Sequence, residues 1–383
     1  MTAYLLCSGI AFASDVASNC PDCSDLDIGE SLSFIQPAYK LNVGNDDSIE
    51  FRAVASGIGI GQTNPAPGAY PSYVDVSNAQ VMAYKNSGLI QFYLQAGYYS
   101  TPSLGTVYER SNIEMKNSFG YIPLAYLTLA PSKNWSVSAG KINSFGGYES
   151  TFTYQNINIV RGLLWNQTSN VSRGVTATYS DGEITASMTL NDGFYSNHLS
   201  WLGALAGYQF NEQNSATLSW TGAIRSSSTD TYATPLAQDN SQIFNAIYTY
   251  KSSHWMVTPY LQYTYVPSNP SIGILGESQT KGMAILTNYR FQGEEINGFS
   301  LPFRLEYISS SGSSALNSPN LLYGVGSAAW SATVTPTYQL SRYFIRGEIS
   351  YVQALKATPG MAFGSSGSTN NQTRAMIELG LLY

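Results

Sequence analysis

From Ser48 onward, apolar and polar residues alternate with a period of two, the spacing of strands that present two chemically different faces. Ile90, Phe92, Leu94, Ala96 and Tyr98 alternate with Gln91, Tyr93, Gln95 and Gly97. Ile184, Ala186, Met188 and Leu190 alternate with Thr185, Ser187 and Thr189; Ala216, Leu218, Trp220 and Ile224 alternate with Thr217, Ser219, Thr221 and Arg225. The same pattern returns at 299–307, 328–339, 343–351 and 375–383. Helical spacing is hard to find anywhere. The pattern predicts strands near 48–60, 73–85, 88–100, 120–131, 134–142, 171–180, 183–191 and 199–211. A second set follows at 214–225, 240–250, 254–266, 280–292, 299–309, 327–339, 341–352 and 373–383. Most have the length a tilted strand needs to cross a bilayer.

Between them, two kinds of connection strictly alternate. Short turns fall at Asn86-Ser87, Ser132-Lys133, Asp181-Gly182, Glu212-Gln213, Ser252-Ser253, Gly293 to Asn297 and around Leu340. Long Gly/Ser/Pro/Asn-rich connections occupy 61–72, 101–119, 143–170, 192–198, 226–239, 267–279, 310–326 and 353–372. An all-β, transmembrane antiparallel up-and-down barrel of about sixteen strands, within a range of roughly 14–18, produces this rhythm, with short turns and both termini in the periplasm. Pro259, Pro302 and Pro336 interrupt proposed strands, where each removes a ladder donor, so bulges or shifted boundaries are expected there.

A soluble sandwich also alternates, and charge separates the two. Lys or Arg facing lipid at mid-bilayer costs about 2–4 kcal/mol. No clean apolar register carries a charge; the opposite registers hold Glu50, Arg52, Arg225, Arg290, Arg304, Glu306, Arg346, Glu348, Arg374 and Glu378. These read as a lumen charge ladder, compensated in sign, that braces the barrel. Composition agrees: only 11% of residues are charged, while 29 Tyr, 15 Phe, 6 Trp and 34 Gly favour strands, turns and membrane boundaries. A net charge of -6 leaves no basic face for nucleic acid.

The N-terminal residues 1–13 read as a signal peptide without its basic region, ending in Ala11-Phe12-Ala13. Residues 14–47 then form a periplasmic tail, too short for a globular plug, and 48–383 form the barrel. Cys20 and Cys23 in the tail suit a local disulfide in an oxidising compartment; Cys7 lies within the signal. No second Cys pair or nearby His completes a metal site, so neither metal nor cofactor is expected. At the other end, Ile377, Leu379, Leu381 and Tyr383 alternate up to an aromatic terminal residue, the form of signal that the barrel assembly machinery reads on a last strand.

In the middle of the chain, Ile122-Pro123-Leu124-Ala125-Tyr126-Leu127, Leu129-Ala130-Pro131-Ser132, Val137-Ser138-Ala139-Gly140-Lys141 and Gly147-Tyr148-Glu149 stand in order. Tyr154-Gln155-Asn156, Arg161-Gly162-Leu163-Leu164-Trp165-Asn166, Ser172-Arg173-Gly174-Val175 and Asn191-Asp192-Gly193-Phe194-Tyr195-Ser196-Asn197 follow. Through these segments, residues 120–196 resemble the β-barrel porin type 2 family of Gram-negative outer membranes. The resemblance implies passive transport in the outer membrane and names no substrate. Read from the residues, 143–170 is the longest connection, and on so wide a barrel it can fold inward and narrow the pore. Lys141, Glu149, Asn156, Arg161 and Arg173 are the constriction candidates, since opposed charges there would set a size limit. A Glu149–Arg161 ion pair could equally anchor the loop.

Enzyme readings are weak. His198 and His254, the chain's 2 histidines, fall at opposite ends of the proposed barrel, and Glu294 and Glu295 sit together in a short polar turn. Gly57-Ile58-Gly59-Ile60-Gly61 precedes no helix and is no nucleotide loop. The expected function is a porin passing small polar solutes through a water-filled lumen. The alternative is an outer-membrane receptor or uptake channel binding one ligand, such as a siderophore, through its external loops; a secreted adhesive β protein ranks below both. Expected partners are outer-membrane lipid, the assembly machinery and small polar solutes, with oligomerisation left open.

Overall fold

Segments that alternate can satisfy every backbone group and still show lipid an apolar face only by pairing edge to edge until the sheet closes. The computed structural model describes residues 31–34, 38–44, 47–292 and 297–383, and shows such a closure. The strands are β1 (Tyr39–Gly44), β2 (Asp47–Gln62), β3 (Ser72–Lys85), β4 (Ile90–Tyr99), β5 (Leu124–Leu129) and β6 (Trp135–Asn143). They continue as β7 (Val171–Ser180), β8 (Ile184–Asn191), β9 (Trp201–Asn211), β10 (Asn214–Ala223), β11 (Gln242–Lys251) and β12 (Trp255–Val266). The last are β13 (Ser278–Arg290), β14 (Gly298–Gly312), β15 (Ala328–Val334), β16 (Thr337–Leu340), β17 (Tyr343–Leu355) and β18 (Asn371–Leu382). Each pairs antiparallel with its neighbours, and β18 returns to pair with β2 from Leu382↔Val54 to Arg374↔Gln62. Since β15 and β16 form one stave and β1 only extends the edge of β2, the barrel has sixteen staves among the described residues, at the sixteen predicted places. The signal peptide, Cys7, the Cys20–Cys23 pair and Glu294/Glu295 lie outside the described residues.

The prolines do not act as expected. Val334 pairs with Ile349 and Thr337 with Arg346, so the register runs unshifted past Pro336, without a bulge. Gly347 still donates to the Pro336 carbonyl at 3.0 Å, and Thr335 to the Pro302 carbonyl at 2.9 Å. Each proline therefore removes one hydrogen bond of a reciprocal pair and keeps the other. Pro259 interrupts pairing with β11 while remaining opposite Ile285 on β13.

One strand went unanticipated. β1 pairs with β2 from Asp47 to Phe51, where β18 has ended; Ala53 donates to the carbonyl of Tyr383 at 2.8 Å, and beyond it β1 takes over. It covers an edge that would otherwise be an open template. A short helix, α1 (Ser111–Asn117), also interrupts the connection between β4 and β5.

The faces divide by chemistry. Leu218 and Met188 are 62% and 60% exposed on the outer surface, whereas Arg304 and Arg346 are 0% exposed inside. At the short-turn end an aromatic band rings the outside: Trp135 lies 5.1 Å from Tyr179, Trp255 4.8 Å from Tyr289, and Phe291 5.1 Å from Phe299. Such rings settle at the boundary between lipid and water. Leu218→Arg is therefore expected to destabilise the barrel folded in lipid vesicles by about 2–4 kcal/mol, and Thr217→Arg, on the inner face, by clearly less. Urea unfolding followed by tryptophan fluorescence measures the difference.

Candidate functional site: the lumen and its inward loop

Sixteen strands enclose a bore too wide for their own side chains to fill. The connection between β6 and β7 folds into it, and nearly every residue from Thr151 to Leu164 is buried. Its incoming arm runs past β10, where Ser219 Oγ donates to the Phe145 carbonyl at 3.2 Å. Its body then lies against β13 to β18, β3 and β4.

What holds the loop is its backbone. The amides of Ile159 and Val160 donate to the Glu348 carboxylate at 2.6 and 3.2 Å. Those of Leu163 and Leu164 donate to Glu306 at 3.0 and 3.3 Å. Arg346 donates to the carbonyls of Asn156 and Thr153 at 2.9 and 3.0 Å while forming an ion pair with Glu378, its cross-strand neighbour. Glu378 also accepts from the Thr153 hydroxyl at 2.8 Å. Hydrogen bonds to ionised groups are roughly twice as strong as neutral ones, so this wall grips the loop firmly. Gly162 is needed here, because a Cβ at that position would collide with the Glu306 carboxylate. Gly282 likewise leaves room for Leu164, whose Cγ would lie 2.8 Å from an added Cβ.

The Glu149–Arg161 pair does not form. Glu149 binds Arg304 at 2.6 Å, and Arg304 also donates to the Val160 carbonyl at 2.8 Å and lies 3.2 Å from Glu306. Arg161, fully buried, places its guanidinium 4.9 Å from the Trp165 ring centre, and its side chain has no hydrogen-bond partner among the described residues. Its backbone exchanges hydrogen bonds with Pro102 and Leu104 at 3.0 and 2.9 Å, tying the loop to the β4–β5 connection. Arg374 grips that same connection through the carbonyls of Ser103 and Thr106, both at 3.0 Å. Glu50 and Arg52 meet at the Tyr84 hydroxyl, at 3.0 and 2.9 Å.

Beneath the loop, at the short-turn end, a segment of the N-terminal tail enters the barrel. Leu32 and Phe34 are 1% and 2% exposed, and Ser33 exchanges two backbone hydrogen bonds with the Gln339 side chain at 2.9 and 2.6 Å. Phe34 sits 4.7 Å under the Arg52 guanidinium and 6.3 Å from Tyr154 of the loop. Nothing in the alternation of the strands points to this insertion.

Several candidates lie elsewhere. Ser138 and Thr176 face inward, so Lys141 and Arg173, at odd offsets, do not. Lys141 donates to the carbonyls of Phe119 and Ile122 at 3.1 and 2.9 Å. Arg173 pairs with Asp192 at 2.7 Å and stacks on Tyr195 at 3.8 Å, bracing the β8–β9 connection. Arg225 is exposed, because β10 ends at Ala223 before the inward register reaches it. Arg290 is half-buried at the short-turn rim. Ile377, Leu379 and Tyr383 are exposed on the outer face, with Leu381 half-buried between them. His198 and His254 are both exposed, in a long connection and a short turn respectively. Among the described residues no cluster of three or more His, Cys, Asp or Glu side chains could hold a metal.

The family described as "Putative beta-barrel porin-2, OmpL-like" matches residues 48–383. The chain belongs to this porin family. Like its family, it resides in the bacterial outer membrane. Solved structures share the fold: OmpF of Salmonella typhi in complex with daunomycin has a TM-score of 0.59 at 14% identity, covering 90% of this chain and 100% of its own. The anion-selective porin from Comamonas acidovorans has a TM-score of 0.59 at 11% identity, covering 88% and 100%. The outer membrane channel DcaP of Acinetobacter baumannii has 0.58 at 11% identity, covering 91% and 100%. None of the curated proteins matches.

Within this porin, Arg346→Ala leaves the Glu378 carboxylate buried without its cation. Removing one partner of a buried pair typically costs about 3–5 kcal/mol, and that loss of stability is expected here. The double variant Arg346→Ala/Glu378→Ala should lose less than the sum of the two single changes, measured by a denaturant-unfolding cycle on the refolded barrel.

Proposed function

We propose that the protein lets small polar solutes diffuse passively across the outer membrane through a lumen narrowed by the inward loop. The observation that carries this reading is the wall-docked loop: a barrel with an apolar outside and ionised inside holds 144–170 against one side of its bore through side chain-to-backbone bonds. Glu149, Asn156 and Arg161 are then the members of the original constriction set that define the narrowing. The short turns, the tail segment and both termini belong on the periplasmic side, in keeping with short turns at that face of outer-membrane barrels. The exposed register of Ile377, Leu379 and Tyr383 offers the assembly machinery a terminal strand to read.

A second reading, ligand-specific uptake, is favoured by one feature. At the long-loop end, Glu114, Trp165, Gln167, Tyr232 and Leu321 help line a recess of about 440 Å³, a size that suits a small molecule. Planar-bilayer recording separates the two. The passive reading expects ohmic steps and entry of uncharged sugars into proteoliposomes in proportion to their concentration. Saturable, tight binding of one solute with negligible conductance would replace it by the second reading.

A further inference from the structure

Apolar side chains on the inner wall of an aqueous bore are stable only under a cover. Ile58, Ile308 and Val352 have theirs from the inward loop, in one cluster with Ile159 and Leu163. A second apolar patch lies at the short-turn end. Val54 of β2, Met82 of β3, Phe344 of β17 and Leu382 of β18 point inward there, each at most 4% exposed. Val54 stands opposite Leu382, and the Phe344 ring lies over Gly380, whose added Cβ would come within 2.5 Å of it. Leu32 and Phe34 of the tail join these four in one cluster, which also takes in Phe152 and Tyr154 of the loop.

The loop's own grips leave this corner to other forces. Arg304 and Glu306 of β14, Arg346 and Glu348 of β17 and Glu378 of β18 hold the loop from one side of the bore. Phe152 and Tyr154 reach the other way. Phe152 meets Tyr99 of β4 edge-on at 5.3 Å, and the Tyr154 hydroxyl accepts from Gln95 at 3.2 Å. The two rings stack on each other at 6.1 Å and 11°, so this bend spans the bore as one aromatic pair. Phe34 meets it from the short-turn side, edge-on to Tyr154 at 6.3 Å, with its other neighbour the Arg52 guanidinium at 4.7 Å. Gln339 sets the depth of the segment. Its side-chain amide gives and takes one hydrogen bond with the Ser33 backbone, as a neighbouring strand would, and is 2% exposed.

We propose that the tail segment is part of the constriction: Phe34, seated by Gln339, is a positioning residue that holds the bend at 152–154 across the bore and so helps set the width of the pore. This role presupposes the passive-channel reading and assigns the narrowing to two chain segments rather than one. Without the Phe34 ring, Tyr154 loses an apolar neighbour and a void opens beneath it. Surrounding groups relax into such a void only in part, and in a bore water takes what is left.

Single-channel recording on full-length protein that keeps heat-modifiable migration tests this. Phe34→Ala removes the ring, and Gln339→Ala releases the segment from the wall without touching the tail or the loop. Both are expected to raise conductance roughly 1.5-fold or more, because an obstruction withdrawn from a sixteen-stranded bore leaves open water. Both should also admit larger polyethylene glycols than the parent does. Phe34→Leu, which keeps an apolar cover, should stay near the parent value. Ile243→Ala truncates an equally buried side chain beside Phe194 and Trp201 at the long-loop end, and should lose stability while leaving conductance and the polymer limit in place. A conducting parent whose conductance and polymer limit are unmoved by Phe34→Ala and Gln339→Ala overturns the positioning role and leaves the porin reading standing. Equal rises in Ile243→Ala overturn it as well, since any loosening of the barrel would then suffice. A parent protein that passes no current overturns the passive-channel reading and this role together.

Discussion

Hydrocarbon offers no hydrogen-bond partner to a backbone amide and no solvation to an ionised side chain, and every other feature of this molecule follows from that. Closure of β18 onto β2 satisfies the amides. Charges then have one place to go, the bore, and there they meet the same constraint in milder form: a buried ion must be paired or hydrogen-bonded. In this porin much of the pairing comes from a loop backbone. Glu306 and Glu348 each accept from two successive amides, and Arg304 and Arg346 reach carbonyls of the same loop. The loop's fixed position and the wall's electrostatic balance are one arrangement seen from two sides.

Much of the fold was legible because its signals are local. Alternation sets a strand and the direction of each side chain, and turn composition sets whether a connection is short or long; neither needs a distant residue. Even the overlooked β1 carries the pattern, in Tyr39, Leu41 and Val43. The length of 143–170 drew notice to the segment that does fold inward. Parity would also have corrected two site assignments: counting by twos from Ser138 and Thr176 turns Lys141 and Arg173 away from the lumen. Arg225 failed for a different reason, since its parity is right but the strand stops two residues short of it.

What was not legible is which groups meet across the bore. Arg161 is twelve positions from Glu149, and Arg304 is 155 positions away, yet Glu149 binds Arg304. Alternation says that Arg304 points inward and is silent on what stands opposite, because that depends on the closure of the whole sheet and the path of the loop. The insertion of Leu32 and Phe34 is hidden for the same reason. Two apolar residues in a polar tail carry no period, and their burial depends on Arg52, Gln339 and Tyr154 converging from three distant parts of the chain.

The division of the inner wall into an ionised half and a hydroxyl half answers two opposed demands. Holding a loop of 27 residues, 144–170, against thermal motion calls for strong, directional bonds that do not exchange, which charge-assisted pairs to backbone supply. Passing solutes calls for contacts weak enough to break as quickly as they form. A ring of charge all round the bore would meet the first demand and obstruct the second, since any arginine or carboxylate not engaged by the loop would bind ions or close upon its opposite. Placing the ionised groups on β14, β17 and β18 consumes them in holding the loop. The inner positions of β6 to β8, held chiefly by serine, threonine and glycine, carry no ionised side chain.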